Sequence, residues 1–333
     1  MKKNKKRILI TGGMGFIGHN LAISLKKDNY PVKIIDSLQI NNLISLKTSP
    51  EEYPNPKITK KFLMDRLKLI KQKKIIFDKI DARDYHKLCK SVDKFNPDVV
   101  IHLAAVSHAD KSNKTPHTTF DHSLRTLENA LDATKNKNVH FIYFSSSMVY
   151  GNFTDGTKED GHTKPVNIYG EAKLAGERIT KLFSRRHGLN YNIVRPSGVY
   201  GPGDMPDRVV SRFFAEAMQD KTITLHNGDN KVDLTYVQDA ADGIIKASFS
   251  EVSNTSFNIT TGNATSLRTL AETIIEMTGS KSDLKDIGMQ ELYPQRGTLD
   301  ISRAKDLLDY RPQFTLEEGL TSYYNWLKNF NGI

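Results

Sequence analysis

Cysteine is almost missing from this chain. Cys89 stands alone, so no disulfide can close within the chain and no thiolate cluster can hold zinc. On the helical stretch DARDYHKLCKSVDKF it reads as an ordinary buried thiol. Long apolar runs are absent too. Nothing approaches the roughly 18 consecutive apolar residues of a membrane span. The first short run, ILI in MKKNKKRILITGGMGFIG, is cut at once by TGGMG, which leaves no signal-peptide core. A cytoplasmic location without membrane contact is expected. No His or Cys spacing suits a metal, and none is expected. Acidic residues are outnumbered, 38 against 48 basic ones, and the net charge of +10 favours an anionic partner. Aromatic residues do not interleave with the lysines of KITKKFLMDRLKLIKQKK, residues 57–74, as a single-stranded nucleic-acid groove would need. There Leu63, Leu67 and Ile70 form one helical stripe with the basic residues elsewhere, the pattern of a solvated surface helix. No nucleic-acid partner is expected.

What is present is alternation. At 333 residues the chain can build one large or two unequal domains. The runs RILIT, PVKIID, KIIFDKI, DVVIHLA, VHFIYFS and YNIVRP read as strands, most of them separated by enough chain for a crossover helix. That order predicts a Rossmann-type, doubly wound parallel α/β sheet with ligands at the carboxyl ends of its strands. Near Pro196 the pattern changes, and GVYGPGDMP opens longer, mixed elements. The expected division is a first domain of residues 1–196 and 231–257, and a smaller α/β domain of residues 197–230 and 258–333.

The first strand runs into TGGMGFIG, with Gly12, Gly15 and Gly18 ahead of a helix carrying Leu21, Ala22 and Leu25. Such glycines permit a tight turn, close backbone approach to a pyrophosphate, and close helix–strand packing. The helix N-terminus then faces the phosphates. The next strand ends in Asp36, which can accept hydrogen bonds from ribose hydroxyls and would repel a 2′-phosphate. The following SLQINN offers no arginine to receive one. NAD is therefore expected over NADP, and the first domain is expected to hold it. Further on, NIYGEAK sets Tyr169 and Lys173 four residues apart on one helical face. A tyrosine is a poor base at neutral pH, but a nearby ammonium would lower its pKa. Ser145, Ser146 and Ser147 end the preceding strand, where one hydroxyl could bond the same substrate oxygen.

In the order TGGMGFIG, DARD, HLAAVSHAD, FSSSMVYG, YGEAK, RPSGVYGPG, LTYVQDAADGI and PQRGTLDISRAKDLLDYRPQFTLEEGL, residues 7–328, the chain resembles an extended short-chain dehydrogenase/reductase of the NAD-dependent nucleotide-sugar epimerase and dehydratase family. The resemblance implies a cofactor site of Gly12, Gly15, Phe16, Ile17, Gly18, Asp36, Asp81, Ala82, Leu103, Ala104, Ala105, Tyr169 and Lys173, with Asp81 on the adenine amine. It implies that Tyr169 and Lys173 are catalytic together with Ser146, counted back from VYG, or Ser147, counted from FSSS. Toward a nucleotide diphosphate sugar it implies Ser107, His108, Ser147, Met148, Arg208 and Arg296. Arg208 and Arg296 could each instead be solvated, and His108 could simply open a helix. It also implies a homodimer through the helices after HLAAVSHAD and at YGEAKLAGERITKLF, where Leu127, Leu131, Leu174 and Ile179 supply apolar material that could alternatively face the sheet.

Relatives that dehydrate the sugar carry an acidic pair just before VYG. Here those positions are Ser147 and Met148, and a thioether carries no proton, so 4,6-dehydration is not expected. The expected activity is an NAD-dependent nucleotide-sugar epimerase, most simply at C4, working through transient oxidation to a keto sugar. A net 4-dehydrogenase or 4-ketoreductase would use the same residues. A non-catalytic NAD-binding regulator usually spoils the Tyr/Lys pair, which is intact. Gly198 stands where many relatives have asparagine, and Val232 where an arginine often meets the phosphates. The phosphate grip is therefore expected on Arg296, with Arg208 or Lys231 assisting.

Overall fold

The computed structural model describes residues 5–107, 109–288 and 293–330. Seven strands form one sheet: β1 (Ile8–Thr11), β2 (Val32–Asp36), β3 (Ile76–Lys79), β4 (Val99–His102), β5 (His140–Phe144), β6 (Asn190–Pro196) and β7 (Thr255–Ile259). Their spatial order is β7-β6-β5-β4-β1-β2-β3, every neighbour parallel. The six expected strands are all there, and the sheet is the Rossmann-type one. The chain winds outward from β1 through β2 to β3, then returns to β4 and winds the other way. Between β1 and β4 lies the switch point, where the strands' carboxyl ends open a crevice.

Both faces of the sheet are covered, which is why its strands read as unbroken apolar runs. On one face Ile8, Ile10, Ile34 and Ile101 pack against Leu21, Ala22 and Leu25 of α1 (Phe16–Lys27). On the other, Leu9, Val100, Phe141 and Ile193 meet Leu88, Leu127 and Leu131. Leu127 and Leu131 therefore face the sheet. Leu174 is likewise buried, against Val149, Tyr150 and Leu299, and Ile179 packs onto the sheet's core. The three leucines therefore offer no apolar surface to a second copy, and Ile179 is half-buried. Cys89 is half-buried rather than buried.

A second core gathers Tyr200, Phe213, Phe214, Leu234, Tyr236, Leu270, Leu320 and Tyr323. Helix α2 (Pro56–Gln72), capped by Asn55, joins it to the sheet through Phe62, which stacks edgewise on Phe330. Here the sequence reading needs correction. Leu63 and Ile70 do form the buried stripe, but Arg66 lies in it too, 2% exposed. It sits three and four residues from them, so the same helical face carries it inward. Its guanidinium donates to the carbonyls of Met14 (3.2 Å) in the glycine turn and Gly203 (2.6 Å) beside the second core. Burial pushes its pKa down to about 10, so it stays a cation at neutral pH.

Helix α3 (Ile168–His187) begins with Asn167, whose side chain accepts from the Gly170 amide at 2.9 Å, and ends at left-handed Gly188. It lies unusually close to β5 because position 176 has no side chain: a Cβ there would run into the Tyr143 hydroxyl. Gly176→Ala weighs two effects. Alanine gains about 1 kcal/mol of helix propensity, while overpacking against a buried ring costs roughly 1–3 kcal/mol. The variant is expected to unfold at lower urea concentration; a midpoint equal to or above the parent's would show that Tyr143 can yield.

Candidate active site

Gly12 turns the chain after β1 at φ 72°, and a Cβ there would lie 2.6 Å from the Ala104 amide nitrogen that follows β4. Only glycine lets the two loops close at the switch point. Gly15 caps α1 with backbone alone, leaving the helix's first amides open to the crevice. Asp36 is pinned at the end of β2, one oxygen accepting from the Met14 amide (3.0 Å) and the other from Leu38 (2.7 Å). Burial raises its pKa, and these two bonds oppose the rise. All the residues expected around the cofactor line this cleft of about 1060 Å³. Asp81 sits in it paired with Arg83 at 2.7 Å; burial would raise its pKa, but the Arg83 hydrogen bonds prevail and hold it below the usual carboxylate range.

A second cleft of about 1750 Å³ opens beside the first, and Phe16, Ser107, Phe144, Tyr169, Asp204 and Arg208 line both. Tyr169, in the first turn of α3, stands at their junction. Its phenol stands beside the Ser146 hydroxyl, and burial raises its pKa while Ser146 and the Arg208 charge oppose the rise. Ser146 is held by capping the short turn Ser147–Tyr150, its Oγ accepting from the Met148 amide at 3.2 Å. Ser147 and Met148 also line the second cleft. Lys173 is buried one turn along, and its ammonium donates to the Phe144 carbonyl at 2.6 Å rather than to the phenol. Burial pushes it down to about 8, with Glu177 opposing.

The remaining expected residues divide. Arg208 leaves the second core to donate to the Ser107 carbonyl at 2.6 Å, so it spans the mouth shared by the clefts. Arg296 lines the far end of the second cleft with Nε buried and without a hydrogen bond, and burial lowers its pKa to about 10. Lys231 is absent from the residues lining that cleft and pairs with Asp155 at 3.2 Å. His108 lies outside the described residues. Among the lining residues that escaped the sequence reading are Arg212, His226 and Asp204. Arg212 shows a helical spacing of four from Arg208 that could have signalled it. The two departures at Gly198 and Val232 prove to be one. A Cβ at Gly198 (φ 43°) would meet the Val232 side chain at 2.7 Å, so the valine occupies the space a side chain at 198 would take.

A model of the NAD-dependent epimerase/dehydratase family matches residues 8–260. The chain belongs to that family. It is 30% identical to a putative UDP-glucose 4-epimerase of Methanocaldococcus jannaschii, covering 97% of this chain and 99% of that one. It is 28% identical to a UDP-glucuronate 4-epimerase of Thermodesulfobacterium geofontis, covering 96% and 95%. Among solved structures it superposes on the Bacillus cereus UDP-glucuronic acid 4-epimerase, in complex with UDP-glucuronic acid and NAD, with TM-score 0.85 and 27% identity, covering 97% and 99%. The cofactor of this epimerase/dehydratase family member is NAD, and the cleft suits it: a glycine turn, open helix amides and a fixed carboxylate at the end of β2. Among the described residues no helix is long and apolar enough to cross a membrane.

Asp36→Ala is expected to weaken NAD binding by roughly 10- to 150-fold, the equivalent of a charged hydrogen bond of about 1.5–3 kcal/mol. Calorimetric titration checks it, and tighter binding of NADP than NAD by the parent protein would contradict the role given to Asp36.

Proposed function

We propose that the protein is a 4-epimerase of a UDP-hexose or a related UDP-sugar, oxidising the C4 hydroxyl to a ketone and reducing it from the other face. The observation that carries this reading is that Tyr169 lines both clefts at their junction, with Ser146 beside it on the wall of the second. A sugar carbon placed there faces both the cofactor cleft and a proton acceptor. The names of the relatives support UDP as the nucleotide.

NAD, when bound, supplies the hydride acceptor and donor. Tyr169 takes the proton of the C4 hydroxyl, and Ser146 Oγ, whose lone pair is already engaged by the Met148 amide, donates its hydrogen to the same oxygen. Ser147 lies beside it and is the lesser contributor. Lys173 keeps positive charge beneath the pair. Met148 holds no proton, so the site has no carboxyl shuttle with which to expel the C6 hydroxyl. Arg296 and Arg212, whose Nε atoms lack hydrogen bonds, and His226, with Nδ1 likewise bare, would receive the diphosphate and nucleotide at the far end. Arg208 would meet the sugar end. In this reading residues 1–196 and 231–257 carry the cofactor and residues 197–230 and 258–333 the sugar nucleotide.

The protein is also proposed to act as a homodimer. With the leucines of the sequence reading turned inward, the support is Phe120 and Leu182, large apolar side chains 40% and 60% exposed, the second of them on α3. A monomeric mass by light scattering at micromolar concentration would contradict the dimer.

Tyr169→Phe is expected to abolish C4 inversion of UDP-sugars, followed by proton NMR, while binding NAD within about fivefold of the parent, because a single neutral hydrogen bond is worth about 1 kcal/mol or less. Undiminished turnover would place the base elsewhere. Accumulation of NADH in step with sugar consumed would make the protein a net dehydrogenase.

A further inference from the structure

One face of α3 carries Tyr169, Lys173 and Glu177 at intervals of four residues. Glu177 is 0% exposed, and its carboxylate is fully engaged. Oε1 accepts from Ser145 Oγ at 2.6 Å and from Arg195 Nε at 2.8 Å; Oε2 accepts from Arg195 Nη2 at 2.6 Å. Arg195, on β6 and 3% exposed, turns its remaining nitrogen to the Tyr150 hydroxyl (3.0 Å) and the Glu159 carbonyl (2.8 Å). Tyr150 in turn donates to Asn258 on β7 at 2.7 Å. Ser145 and Tyr150 bracket the segment holding Ser146 and Ser147. One carboxylate thus ties the helix of Tyr169 to the strand end of the serines.

We propose that Glu177 is a positioning residue for the reaction, fixing the serine segment against α3 one turn beyond Lys173. The inference rests on the roles given above to Tyr169, Lys173 and Ser146. A buried ion pair whose sole task is cohesion can be replaced by apolar groups of similar volume at little cost. This one is joined to both halves of the reacting constellation, through Ser145 on one side and through the charge of Lys173 on the other.

The groups around Lys173 are few. On β5 the Tyr143 ring lies 5.6 Å from its nitrogen, and the Phe144 carbonyl accepts its hydrogen bond. On β4, His102 is held neutral, its pKa driven to about 3 by burial and by the Lys173 charge. On α3 the Tyr169 ring is 5.9 Å away, and Glu177 is the carboxylate that opposes the lysine's desolvation. On β6, Arg195 is already neutralised by its fork onto Glu177. Lys173 at about 8 is charged below that pH and loses its proton as pH rises through it. Without Glu177 that loss moves to lower pH, and an alkaline limb in kcat moves with it.

The test uses protein enriched in 13C at lysine Cε, with Lys173→Met to assign its resonance, and compares the parent, Glu177→Gln, and Glu177→Gln/Arg195→Met. The double variant is included because the single one leaves Arg195 buried without its counter-ion. Expected is a Lys173 midpoint at least about one pH unit lower in both variants, the scale of losing an adjacent opposite charge. At pH 7.5 kcat should fall about threefold or more, the loss of charged form when a midpoint of about 8 moves down by one unit, with the sugar KM within about twofold of the parent. An unshifted Lys173, or a double variant that regains the parent's midpoint and kcat, would reduce Glu177 to a counter-ion for Arg195 and overturn the proposal. The NMR titration needs no substrate. If the parent inverts no UDP-sugar, the proposed function falls, while a shifted midpoint still upholds the link from Glu177 to Lys173 and an unshifted one refutes it.

Discussion

Helix α3 approaches β5 so closely that the Tyr143 hydroxyl fills the space where residue 176 would carry a side chain, and the chemistry of the cleft depends on that approach. It sets Tyr169 beside Ser146 and sends the Lys173 ammonium to the carbonyl at the end of β5. The helix is the crossover from β5 to its neighbour β6, and apolar packing alone would leave its sliding along the strands loosely defined. The polar chain from Ser145 through Glu177 and Arg195 to Tyr150 fixes it. Such a network is costly unless every member is satisfied, and the groups in this chain each have partners.

The second constraint is the seam between the two cores. Arg66 crosses beneath it to the glycine turn and to Gly203, and Arg208 crosses above it to Ser107. Both are arginines, whose planar fork meets carbonyls in a fixed geometry, and Arg66, the buried one, is suited to its place by the guanidinium's weak hydration. The positive charge of this protein is thus of two kinds. Most lysines are solvated, whereas Arg66, Arg208, Arg212 and Arg296 point into or along the clefts. The loss of arginine at position 232 is local: Val232 and Gly198 fit each other, and the cationic side chains of that cleft stand elsewhere along its wall.

Much of this could be read from the amino acids. The six strands were legible because a parallel sheet covered on both faces demands runs of β-branched residues, and the glycine turn because its spacing stands between a strand and a helix. Tyr169 and Lys173 were legible from a spacing of four. The rest was hidden for a common reason, that one-dimensional spacing does not say which face of a helix is covered. Arg66 looked like one more basic residue on a solvated helix, although its position in the stripe with Leu63 and Ile70 could have warned otherwise. Leu127, Leu131 and Leu174 could be read as facing either a partner or the sheet, and the sheet and the turn after β5 cover them. The strand Thr255–Ile259 was missed because TSFNI is short and mixed, and only its pairing with β6 makes it one. Glu177 and Arg195 lie eighteen residues apart, and nothing in the sequence announces their fork.

The central claim is that C4 loses and regains the same hydrogen in one site, with Tyr169 moving only the proton on oxygen. UDP-glucose and UDP-glucuronate, each deuterated at C4, can be incubated with the NAD-loaded protein in ordinary water and the products read by NMR and mass spectrometry. The account predicts the C4 epimer with deuterium retained at C4. An epimer carrying solvent hydrogen at that carbon, or a ketone released with the label left on the cofactor, would contradict it.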